Sequence, residues 1–416
     1  MKVCEEHFRD IKSMKSCPTP EGIEMKVAVI TTKAAMSRIW NHAEKASSHD
    51  MHLIPVTEFK SKVGIPRMKG WQNLTRLSPD CIWVDQHNIE GLYCRLFQIY
   101  NHEDVPVIGY LRGDIWTEVS DLSEYLMNKW KRKLRKKQKK EIEDEFSLLN
   151  LLRGKKAMEE LSIAALYDAS LPFILAYKFH FSFLRNLSMG RYDLLVCISR
   201  WLEERSHQEM PRTPTDVWYR GMNPAPFLSM TEPMDLLHPC VGIVQNHSIM
   251  RKTKPLLEFA PVVRALPDVH FYISEGISRW LEFLPQVKKA LSAFENVHFL
   301  KVTPKNVSAF LKSIDCYALV SGLDAFPSTV REAQLAKAPV VASKVGGVEE
   351  ALAKSPWNAV IENEDTESWV KTLREFVKGK GENEEGCQYV ISKFRWDVAI
   401  KRFNEICSRE IQRKKS

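Results

Sequence analysis

The stretch from Ser321 to Gly347, SGLDAFPSTVREAQLAKAPVVASKVGG, leaves few folds open. A buried strand-like run, Asp315 to Ser321 (DCYALVS), enters an acidic loop. The pattern then predicts a helix over Glu332 to Ala338, opening near Ser328, and a second buried strand over Pro339 to Ser343 (PVVAS), closed by Gly346 and Gly347. Strands joined through a helix run parallel, so both loops fall at the carboxyl ends of strands, where open α/β sheets hold ligands.

The same alternation fills the chain twice. Lys26 to Thr32, His52 to Val56, Cys81 to Asp85, Pro106 to Leu111 and Asp193 to Ser199 are short apolar runs in the first half, with helical patterns such as Ile89 to His102 between them. After a Pro-punctuated segment, Val241 to Ser248 starts a second series, continued by DVHFYIS, NVHFLKV, CYALVS and PVVAS. A chain of 416 residues exceeds the size at which one core stops growing. The expected organisation is an arm over 1–25, a first domain over 26–225 with a basic helical insertion at about 120–150, a linker over 226–238, a second domain over 239–393, and a final helix over 394–416.

Charge narrows the partners. Nine Lys or Arg lie in KWKRKLRKKQKK (Lys129 to Lys140), and without them the chain is close to neutral rather than +8. Leu122, Leu126, Trp130 and Leu134 recur every four residues there, which predicts an amphipathic helix. Two readings stay open: a peripheral contact with an anionic membrane, or a solvated scaffold helix. Nucleic acid is disfavoured, because Trp130 is the only stacking platform nearby. No run of eighteen apolar residues predicts a span, and the first 24 residues lack the apolar core of a signal peptide. Nine scattered cysteines with no CxxC pair fit a reducing cytoplasm, and no Cys/His spacing predicts a metal.

Asp324 sits on the acidic loop and Glu332 near the start of the following helix, whose amino end favours phosphate while the carboxylates accept hydroxyls. A competing reading makes Thr329-Val330-Arg331-Glu332 a capping box. The run DAFPSTVREA resembles the donor site of the family 4 (group 1) retaining glycosyltransferases of GT-B fold, usually written E-G-F-x-x-x-x-x-E-A. That resemblance implies an α/β, GT-B architecture of two Rossmann-like domains facing a central cleft. It implies that Asp324 contacts the transferred sugar, that Ala325, Phe326, Pro327 and Ser328 meet the phosphates, that Glu332 holds the ribose, and that Gly346 and Gly347 close the pocket. Asp for Glu shortens the first reach by one methylene, and Ala325 replaces a glycine.

Registered on PLLEF, the resemblance puts Lys252 at the diphosphate-clamping lysine, with Arg251 beside it and His247 where an arginine is usual. Arg112 stands at the place of a histidine poised beside the sugar, where its role is electrostatic or an ion pair with Asp114. The first loop, Thr31 to Arg38, lacks the usual Gly-Gly turn, and His87 ends a strand near the expected cleft. The function implied is hexosyltransferase-like: transfer of a sugar from a nucleotide diphosphate to a glycan, lipid or protein acceptor, with retention, catalysed by Asp324, Lys252 and Arg112. Cofactors and metal are not expected. The alternatives are a GT-B sugar-nucleotide isomerase (epimerase) and a non-catalytic sugar-nucleotide-binding scaffold.

Overall fold

The computed structural model describes residues 25–32, 39–47, 49–58, 68–85, 94–96, 98–99, 104–116, 185–247, 249–276, 283–379 and 381–416. The N-terminal arm, the basic stretch 129–140 with its helical row, the loop 33–38 and His87 lie outside them.

Among the described residues, twelve strands form two six-stranded sheets, and every pairing in them is parallel. The first sheet holds β1 (Lys26–Thr31), β2 (Asp50–Pro55), β3 (Cys81–Val84), β4 (Val107–Leu111), β5 (Leu194–Cys197) and β6 (Thr215–Val217), in the order β2-β1-β3-β4-β5-β6. The second holds β7 (Cys240–Ile243), β8 (His270–Ser274), β9 (Val297–Leu300), β10 (Cys316–Leu319), β11 (Val340–Ser343) and β12 (Asn358–Ile361), in the order β12-β11-β10-β7-β8-β9. Winding outward in both directions from β7 makes the β7/β10 junction the switch point, beyond whose carboxyl ends a ligand crevice is expected.

The central strands read as continuous apolar runs because both faces are covered: β3, β4, β5, β7, β10 and β11 are buried at every position. Trp40, Trp83, Tyr110, Trp218 and Phe403 pack as one aromatic group, with Trp40 stacked on Trp218 at 5.7 Å and Trp83 tilted on Phe403 at 4.6 Å. Each such pair contributes about 0.5–1.5 kcal/mol beyond its buried area.

Phe403 belongs to the last helix, Trp396–Lys415, which completes the first domain rather than the second. Trp218 Nε1 donates to Ala399 O at 2.7 Å, and Trp83 Nε1 reaches Cys407 Sγ at 3.2 Å. Arg402 and Arg409 each hold a carboxylate oxygen of Asp216, at 2.6 and 2.7 Å, and Lys414 pairs with Asp193 at 2.8 Å. Gly221 accommodates this crossing, since a Cβ there would overlap the indole of Trp396. The preceding helix, Glu384–Phe394, stays with the second domain, packed on the helix Ser328–Leu335.

Candidate active site

Three elements converge at the carboxyl ends of β7 and β10. The helix Met250–Leu257 follows β7 and carries Lys252; the loop after β10 carries Asp324; the helix Ser328–Leu335 carries Glu332. Lys252 Nζ lies 3.4 Å from Asp324 Oδ2, with the two side chains 27% and 22% exposed. Asp324 Oδ1 also accepts from the Phe326 amide at 3.3 Å, which tightens the loop two residues before the helix. Gly322 permits the close approach of the two elements, because a Cβ there would overlap the carbonyl of Arg251.

The helix opens at Ser328 with Pro327 at the cap position and no side-chain cap, so the capping-box reading of Thr329 and Glu332 is not realised. Thr329 Oγ1 instead receives the Tyr317 hydroxyl at 2.7 Å. The end of the helix also differs from expectation: it stops at Leu335, and Lys337 turns at φ +61° ahead of β11. Glu332, half-buried in the second turn, has its carboxyl pKa raised by burial, an effect opposed by the charges of Arg331 and Arg220.

Gly346 and Gly347 form the turn after β11 and lie against the Asp324 loop. The Gly347 amide donates to Asp324 O at 3.1 Å, Gly346 adopts φ +54°, and Cβ atoms at the two positions would overlap the carbonyls of Asp324 and Ala325. Ala325 and Phe326 are buried. Phe326 packs against Tyr219 and Phe394, with ring centroids at 5.2 and 5.3 Å, so its side chain serves packing while its backbone shapes the loop.

His247 departs from its expected part. It is fully buried, its Nε2 lies 2.8 Å from Ser274 O, and burial lowers its pKa, so the ring is neutral at pH 7 and adds little to a diphosphate clamp. Arg251 is exposed on the neighbouring helix. Arg112 is likewise placed differently from the ion pair with Asp114. Its Nε meets Asp85 Oδ1 at 2.6 Å, while Asp114 faces Arg205 at 3.6 Å. Asp85 is buried at the end of β3, and its other oxygen accepts from Thr31 Oγ1 at 2.8 Å and Trp40 Nε1 at 2.9 Å. Burial raises the Asp85 pKa, with Arg112, Trp40 and Thr31 each pulling it back.

The contacts that join the domains were not legible beforehand. Ser199 caps the helix Arg200–Glu209 through the Leu202 amide and donates from the same hydroxyl to Ala325 O at 2.8 Å. Glu350, on the helix Val348–Ala351 just after the glycine turn, accepts from the Arg200 and Trp201 amides at 2.8 Å each and from the Tyr219 hydroxyl at 2.9 Å. Burial and the Glu350 carboxylate keep that phenol protonated. The run S-R-W-L-E-E announces a helix start, but nothing in it announces a carboxylate 150 residues away.

Residues 244–393, which contain Lys252, Asp324, Glu332 and both glycines, match the family model described as Glycosyl transferases group 1. This segment is a group 1 glycosyl transferase domain. The D-inositol 3-phosphate glycosyltransferase of Corynebacterium urealyticum is 23% identical to this chain over 127 residues, which span 30% of this chain and 30% of that protein. Over the whole chain the likeness is one of fold. Sucrose-phosphate synthase (tll1590) from Thermosynechococcus elongatus superposes with a TM-score of 0.60 at 11% identity, covering 93% of this chain and 99% of that one. Anabaena Alr3699/HepE, solved in complex with UDP-glucose, gives 0.58 at 12% identity, covering 92% and 100%. The two facing sheets therefore have the GT-B fold, with the group 1 glycosyl transferase domain as the second lobe.

Proposed function

We propose that the chain moves a sugar from a nucleotide-diphosphate donor to an acceptor hydroxyl, with retention at the sugar carbon. The observation that carries this is the Lys252–Asp324 pair, 3.4 Å apart across the β7/β10 switch point and beside the amino end of the helix Ser328–Leu335. The diphosphate takes the Lys252 ammonium and the first-turn amides, while Asp324, released from Lys252, accepts hydroxyls of the transferred sugar. Glu332, one turn further on, holds the ribose. As the glycosidic bond breaks, Lys252 stabilises the charge gathering on the departing diphosphate, with Arg251 at hand on the same helix. The leaving phosphate deprotonates the acceptor hydroxyl, so positioning and charge stabilisation carry the reaction.

The acceptor is held by the first domain. Arg112, fixed on Asp85, acts there through its charge and not as a base. The HepE complex with UDP-glucose supports a nucleotide-sugar donor in this fold. No helix among the described residues is long and apolar enough to cross a membrane, and in this reading the chain works in the cytoplasm, its basic segment 129–140 touching an anionic surface.

One observation favours a second reading, a binding scaffold: His247 is neutral and buried where a second cation of the clamp is expected. A panel of nucleotide sugars, scored by thermal shift and by turnover, separates the two. Transfer or donor hydrolysis that falls by about 10²–10³ in Lys252→Ala, with the melting temperature kept, establishes the enzyme. Stabilisation without turnover establishes the scaffold, and conversion of a donor with no acceptor present points to an isomerase. If no nucleotide sugar raises the melting temperature, the donor site is wrong.

A further inference from the structure

At the opposite end of the second sheet, away from the donor loops, three side chains of different chemistry meet. His238 precedes β7, Cys240 opens it, and Asp315 immediately precedes β10. His238 Nδ1 lies 2.7 Å from Asp315 Oδ2 and 3.6 Å from Cys240 Sγ, and the three donor atoms all fall within 4.8 Å of one another. We propose that His238, Cys240 and Asp315 bind a divalent cation of the zinc class, with water completing the coordination.

The geometry suits a small tetrahedral ion. A thiolate and an imidazole on one zinc stand about 3.5 Å apart, from bond lengths of roughly 2.3 and 2.0 Å. The sulfur and nitrogen here are already at 3.6 Å. Imidazole and carboxylate on one zinc need about 3.3 Å, so Nδ1 and Oδ2 must part by about 0.6 Å as the ion replaces the proton between them. The carboxylate is oriented by a support of the kind metal ligands commonly have: Asp315 Oδ2 accepts from the Cys240 amide at 2.7 Å. Access is also provided, since the His238 side chain is 46% exposed and that of Asp315 15%, while Cys240 forms the buried wall. A sulfur, nitrogen and oxygen set selects zinc, cobalt or a similar borderline ion over magnesium or calcium.

Coordination of Cys240 as the thiolate displaces its proton, one per ion bound. The imidazole coordinates as the neutral ring through Nδ1, its own proton resting on Nε2. The next strand carries a competing pair on the same sheet edge. His270 is the register partner of Cys240, and its Nδ1 is 3.1 Å from His298 Nε2. No other group of three such ligands stands this close together among the described residues.

The test uses the full chain, stripped with a chelator and titrated with cobalt(II). One equivalent should bind with a near-ultraviolet thiolate-to-cobalt absorption that zinc abolishes, and zinc should raise the melting temperature. Cys240→Ser should remove the absorption, and His238→Ala, at an exposed position that leaves the fold intact, should weaken binding at least about tenfold. The proposal is overturned if no equivalent binds, if binding survives both substitutions, or if it is lost in His270→Ala or His298→Ala instead. None of these readouts depends on sugar transfer.

Discussion

Arg331 holds its guanidinium carbon 4.3 Å above the ring of Phe326. The Phe394 ring lies 5.3 Å away, and Nη1 donates to Arg220 O at 3.0 Å, so one side chain of the helix Ser328–Leu335 ties the loop after β10 to the two stretches of chain that cross between domains. Arg331 is fully buried, and its Nε and Nη2 lack hydrogen-bond partners among the described residues. Burial accordingly lowers its pKa to about 9.

The side chain therefore contributes chiefly by filling space between two rings. Arg331→Ala should destabilise by about 2–4 kcal/mol through the cavity it leaves. Arg331→Met, which refills that volume without a charge to desolvate, should stay within about 1.5 kcal/mol of the parent. Urea midpoints of the two variants decide this, and equal losses would refute it.

Glu332 sets stability against binding. Its raised pKa means that, between the ordinary glutamate value and the raised one, the folded chain keeps a proton the unfolded chain has released. Stability contributed by this group is thus present below that window and lost as pH rises through it. Glu332→Gln should be more stable than the parent at neutral pH, with the gap closing near about pH 4. The same variant should bind a nucleotide sugar about tenfold more weakly or worse. Denaturant curves at the two pH values and calorimetry with donor measure both halves.

Glu350 and Tyr219 should prove coupled. Glu350→Gln weakens two amide contacts and one phenol contact at once, and a cost of about 1–3 kcal/mol is expected. A double-mutant cycle with Tyr219→Phe should give a coupling above about 0.5 kcal/mol. Strict additivity would mean the Tyr219–Glu350 hydrogen bond contributes nothing.

The glycine pair is a steric requirement. Gly347→Ala and Gly346→Ala should each cost about 2 kcal/mol or more, the second also through its left-handed backbone. Both should loosen the Asp324 loop, read as weaker donor binding at a temperature where the variants remain folded.

Much of this was legible in the sequence, because buried parallel strands and their flanking turns are local signals. The central strands fall where the apolar runs put them, to within a few residues. Two of the four edge strands, β6 and β12, are not anticipated: β6 (TDV) and β12 (NAVI) are short and each opens on a polar residue, too little for an apolar run to stand out. Lys252 is singled out by the family resemblance alone, and Asp324 and the glycines by their local spacing as well. Ser199, Glu350, Arg331 and the Arg112–Asp85 pair are not anticipated, since each acts through a partner far away in the chain. The cluster of His238, Cys240 and Asp315 was invisible for the same reason, its carboxylate lying 75 residues from the cysteine.

The placement of the helix Trp396–Lys415 has a temporal consequence. Domains fold as units during synthesis, amino-terminal first. Here the aromatic core of the earlier lobe waits for Phe403, which leaves the ribosome only after the whole transferase lobe has been made. A premature stop between Arg395 and Phe403 would therefore spare the transferase lobe and cripple the lobe at the other end of the polypeptide.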